Sequence, residues 1–280
     1  MKRREFISSV AGVAALTQTL QANQEQLEKN NKSAILLWMG GGPSTMDIWD
    51  LKTGAPTGGP FKPIATSGDA QISEHMPLTA KQMHNLAIIR SMSTREADHM
   101  RGRYYMHTGY VPNPSIDHPS YGSVISHQLE RPDVAIPKFI SVGGASMGAG
   151  FLGAKYSPFV VNSDGRIRNL DMKIDQRFYQ RAYALDAIES GFINQKRGSL
   201  AKEHQAILKE TFNVLTSTQM DALKVAGEPD AVKERYGENN FGKGCLMARR
   251  LAEAGVPFIE VNLGGWDNHQ NIFPTLRDNK

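Results

Sequence analysis

The chain has 280 residues, of which 40% are hydrophobic and 21% charged, an ordinary globular balance that supports a sizeable core and excludes a disordered or fibrous chain. The net charge is +4, and about half of it comes from Lys2, Arg3 and Arg4 against Glu5, so the remainder is nearly neutral and offers no footprint for nucleic acid. The single cysteine, Cys245, excludes an intrachain disulfide.

The N-terminus begins KRREFI, two adjacent arginines before a bulky apolar pair. An uncharged stretch with the apolar centre VAGVAAL follows, and Leu20-Gln21-Ala22 offers a weak cleavage site ending in a small residue. This is the pattern of a twin-arginine signal peptide over residues 1–22. It implies the twin-arginine export machinery as a partner and a periplasmic or extracellular location. The apolar centre is far shorter than the ~20 residues of a membrane span, so no stable membrane anchor is expected. Residues 23–32 are polar and predict a solvated linker.

Residues 33–39 (SAILLWM) form a continuous apolar run closed by Gly40-Gly41-Gly42-Pro43, which predicts a buried strand entering a tight loop. Further short strands are expected at 87–89, 138–142 and 258–263. Helices are expected at 121–129 with Ser120 as N-cap, at 174–189, at 200–216, and at 241–254 before the stop signal Gly255-Val256-Pro257. Apolar strands separated by helices imply an α/β domain with a mainly parallel sheet over residues 33–280. The charge-rich stretch around 170–240 adds a helical insertion.

Three segments carry candidate chemistry. In the first, Asp47 and Asp50 follow the glycines and share a face if the turn is helical. Two carboxylates there suit a divalent cation, or are the exposed acids of a capped helix start. In the second, Asp267 and His269 follow the last strand and Gly264-Gly265. Residues two apart on extended backbone point the same way, so this pair can chelate one ion, or His269 simply packs in a loop. In the third, Asp98, His99, Arg101, Arg103 and His107 crowd ten residues. His99 and Arg103 meet on one helical face, and arginine suits a planar oxyanion, or the segment is a solvated basic helix start.

With GGGPSTMDIWD, RSMSTREADHMRGRYYMHTGY, DHPSYGS, GGWDNH and the KRREFI start, the chain resembles the exported bacterial proteins labelled DUF1501, which are grouped with alkaline phosphatases and sulfatases. The resemblance implies a three-layer α/β/α sandwich and metal-dependent hydrolysis of a phosphate or sulfate ester, an anionic substrate. It implies that Asp47 or Asp50, with Asp267 and His269, would hold one or two divalent ions, zinc or calcium. Aligned on Thr108-Gly109, the sulfatase pattern puts its arginine at Arg103 and its nucleophile at His99, where this sequence has no hydroxyl or thiol. His99 would then be a ligand, a general base or a histidine nucleophile. Ser91, Ser93 and Thr94 are weaker alternatives. The resemblance also implies further strands and an Arg-Asp-His motif beyond GGWDNH, so the chain is expected to be a fragment lacking part of its metal site. A non-catalytic exported binding or structural protein on the same fold is the alternative.

Overall fold

A computed structural model describes residues 18, 19, 23, 32–129, 131–167, 175–194, 205, 208, 212–214 and 216–278. Apart from those few positions, the expected signal peptide and linker and most of the expected helix at 200–216 lie outside the described residues. The chain divides into two units, one of residues 1–37 and 103–262, the other of residues 38–102 and 263–280.

The first unit holds a four-stranded sheet in the order β1-β6-β4-β5, with β1 Ala34–Met39, β4 Phe139–Val142, β5 Phe159–Val161 and β6 Phe258–Leu263. Strand β4 is central and pairs in parallel with both neighbours, Ile140 opposite Ile259 on one side and Phe159 on the other. Central parallel strands are covered on both faces, which is why FISV and the start of FIEVNL are unbroken buried runs. Edge strand β1 alternates instead: Ile35 and Leu37 are exposed, so the run expected to be buried is only half covered.

Side chains at Phe139 and Phe258 point to one face of the sheet, those at Val142 and Val261 to the other. Helix Tyr121–Gln128 lies on the first face, where a Cβ at Gly122 would come within 2.7 Å of both phenylalanine rings. Helix Asn240–Glu253 lies on the second, where a Cβ at Gly244 would meet Val261 at 2.9 Å. It buries Leu246, Met247 and Leu251 against Ile140, Val142, Ile259 and Val261. Each such side chain contributes about 1.5–3 kcal/mol relative to exposure. Ser120 caps the first helix by accepting from Ser123 N–H, and Asn239 caps the second by accepting from Gly242 N–H. Within the stretch expected as an insertion, Gln176–Asn194 and Asp230–Tyr236 are helical.

The second unit is mostly loop. It holds the short hairpin β2 Pro63–Ile64 with β3 Ile72–Ser73 and a small cluster of Ile72, Ala80 and Met83. The strand expected at 87–89 is absent: the segment has no ladder partner and Ile89 is 70% exposed. An apolar triplet without a neighbouring edge to bond cannot be a strand.

Candidate metal centre

The second unit brings three potential ligands together. His99 Nε2 lies 3.0 Å from Asp267 Oδ2, and His269 Nε2 lies 2.8 Å from Asp267 Oδ1. One donor atom from each residue falls within 4.8 Å of the others, and all three residues are exposed. The side chains of His99, His269 and Asp267 are 62%, 79% and 45% exposed.

Local sequence explains the placement. Helix His99–Thr108 starts at His99 because the Asp98 carboxylate accepts from Arg101 N–H at 2.9 Å. The glycine turn after β1 fixes Asp267. Gly40 N–H donates to Leu263 C=O at 2.8 Å, and Trp266 N–H donates to Gly40 C=O at 3.1 Å. Gly41, at φ +109°, then passes so close that a Cβ would stand 2.5 Å from Asp267 N. Only glycine combines that dihedral with that approach.

The other expected ligands, Asp47 and Asp50, are not among the three residues of this cluster. Asp47 is buried, accepts from Ser44 Oγ at 2.5 Å, and has Gly59 closed against its second oxygen. Asp50 accepts from Lys52 Nζ at 2.6 Å and faces Arg90 at 3.9 Å. The Lys52 hydrogen bond holds its carboxyl below the usual carboxylate value. Both acids have local partners of their own, and Asp267 is paired with the two histidines.

Arg103, expected to hold an anion, belongs to the sheet-bearing unit, where its Nη2 donates to Ala145 C=O. In the same unit, strand β6 carries Glu260 at 0% exposure, flanked in sequence by Ile259 and Val261. Its Oε2 accepts from Ser146 Oγ and lies 3.4 Å from His107 Nε2, with His107 only 2% exposed. His107 Nδ1 bonds Arg103 C=O at 2.9 Å. The sequence reading passes over Glu260 and Ser146; the available signal is a lone acid inside the strand FIEVNL, because buried carboxylates are rare without a partner.

A family described as "Protein of unknown function (DUF1501)" matches residues 31–280. No curated protein and no solved structure matches the chain.

Proposed function

Because the chain belongs to the DUF1501 family, whose description assigns no activity, the functional reading rests on the site, and we propose an exported, metal-dependent hydrolase of phosphate or sulfate esters. The observation that carries it is the convergence of His99, Asp267 and His269 on one point. Zinc bonds nitrogen and oxygen at about 2.0–2.2 Å, so tetrahedral ligands sit roughly 3.4 Å apart. The contacts of 2.8 and 3.0 Å run to the two different oxygens of Asp267, and one donor atom from each residue lies within 4.8 Å of the others, so exposed side chains adjust to bring all three to that spacing. Two imidazoles and a carboxylate suit zinc or iron(II) and not calcium, which takes oxygen ligands.

In this reading His99 is a ligand, which resolves its departure from the sulfatase pattern. A bound ion would supply Lewis-acid polarisation of an ester oxygen and a water acidified toward neutral pH. The chain's own part is positioning: the glycine turn fixes Asp267, and the helix start fixes His99. An anion-holding role for Arg103 rests on the resemblance. The alkaline phosphatase-like three-layer sandwich is likewise part of the proposal, supported by the helices at Gly122 and Gly244 on opposite sheet faces. Export rests on residues 1–22, read as a twin-arginine signal. Among the described residues no helix is long and apolar enough to cross a membrane.

The openness of the three ligands favours a second reading, an exported metal binder without turnover, since a solvated ion polarises substrate less than one in a water-excluding site. Metal analysis of the purified protein, with turnover of p-nitrophenyl phosphate and p-nitrophenyl sulfate, separates the two. Turnover that disappears when the ion is chelated supports the hydrolase. Bound metal without turnover supports the binder, and absence of metal affinity removes both.

A further inference from the structure

We propose that Ser146 is the nucleophile of a metal-independent acyl-transfer site in the sheet-bearing unit, acting on neutral carboxylic esters, with Glu260 as its general base. This does not rest on the metal reading.

The loop after β4 emerges at the carboxyl end of a parallel strand, where open α/β sheets place their ligands. It is held on both sides of Ser146. Ser141 Oγ donates to Gly144 C=O at 2.7 Å, and Arg103 donates to Ala145 C=O. Gly148 C=O accepts from Ser120 N–H at 3.1 Å and from Ser123 Oγ at 3.3 Å. Ser146 itself is half-buried. Residues 144–148 (GASMG) have the glycine-x-serine-x-glycine spacing of nucleophile turns that follow a strand. The match is partial: Ser146 is not among the residues with positive φ, and its base is a carboxylate rather than a histidine.

The groups behind Ser146 suit the task. A carbonyl only accepts, so His107 Nδ1 carries a proton donated to Arg103 C=O, and Nε2 faces Glu260. Both side chains are buried, so each needs the other as a polar partner. A purely structural pair would have both carboxylate oxygens bonded. Here Glu260 Oε1 is buried with no hydrogen-bond partner among the described residues, which is costly for a carboxylate. The backbone N–H groups of Ser146 and Met147 also have no acceptor among the described residues. They are the donors a developing oxyanion would need.

The chemistry balances. Ser146 Oγ forms a bond to the ester carbonyl carbon while its proton passes to Glu260 Oε2. The carbonyl π electrons move to oxygen, for which the N–H groups of Ser146 and Met147 are the available donors. Collapse breaks the carbon–alkoxide bond, and the alkoxide leaves with the proton from Glu260. Water then repeats the sequence on the acyl-serine and releases the carboxylic acid. A neutral ester is favoured over a phosphate or sulfate because an anion would meet the Glu260 carboxylate.

The test uses the full chain in EDTA, which silences any metal site. The readouts are p-nitrophenyl acetate turnover and covalent labelling by a fluorophosphonate, mapped by mass spectrometry. The expected result is one label per chain at Ser146, with Ser146→Ala losing the label and turnover about 100-fold or more. Glu260→Gln should slow labelling by a similar factor where it folds; where it does not, Ser146→Ala decides alone, its fold checked by circular dichroism. A folded protein that takes no label at Ser146, takes it elsewhere, or keeps its turnover in Ser146→Ala overturns the proposal.

Discussion

Replacing Gly41 by alanine should weaken metal binding without touching a ligand. The added Cβ would stand 2.5 Å from Asp267 N and 3.0 Å from Asp267 Cβ. Ordinary contacts are about 3.5–4.0 Å, so the loop must retreat by roughly 1 Å. Ligand distances tolerate only about 0.2 Å. The retreat also stretches the hydrogen bond from Trp266 N–H to Gly40 C=O. We expect zinc affinity to fall about 10–100-fold, the range for lost support of a ligand, and stability to fall by about 1–3 kcal/mol from backbone strain. Gly42→Ala is the control: φ is +85° there, yet nothing lies within 4 Å of the new Cβ. It should share the strain but keep the affinity. Calorimetric zinc titrations and thermal melts of both variants give the comparison. Equal zinc affinity in the two would refute the link between the glycine turn and Asp267.

Gly122→Ala should destabilise the fold by about 1–3 kcal/mol, since its Cβ collides with two core rings; urea titration reads it, and an unchanged midpoint would mean the helix shifts freely. Burial pushes the Cys245 thiol up to about 11, so at pH 8 it should react with a thiol-specific disulfide reagent far more slowly folded than unfolded. Asp50→Asn should leave zinc affinity unchanged, because Lys52 engages the carboxylate. That ion pair lowers the Asp50 pKa, so its contribution is present at neutral pH and lost as pH falls below the ordinary value of 3.8; comparing melts of parent and variant from pH 7 down to pH 3 checks the sign.

The fold was largely legible because its central strands and helices obey simple periodicity. Strand β6 spans Phe258–Leu263, the expected run, and the capped helix after Ser120 lies where its sequence placed it. Residues 87–89 misled because an apolar triplet carries no information about whether a partner edge is near. β5, Phe159–Val161, went unseen because three residues show no period. For the candidate site, sequence spacing could pair Asp267 with His269 but could not decide which distant residue joins them. The structure brings in His99, through a helix start and a glycine turn, and leaves Asp47 and Asp50 with neighbours. Local hydrogen bonds such as Ser44 to Asp47 decide that outcome, and they depend on rotamers rather than residue type.

The most direct test of the metal assignment is a zinc titration of the parent chain beside His99→Ala, Asp267→Ala, His269→Ala and Asp47→Ala. All four substitutions but the last remove exposed side chains, so folding should survive in those three. One ion per chain is expected, with an affinity loss of about 100-fold or more for each of the three, set against 10–100-fold for mere support residues, and little change for Asp47→Ala where it folds. An affinity indifferent to His99, Asp267 and His269, or no zinc bound by the parent, would contradict it.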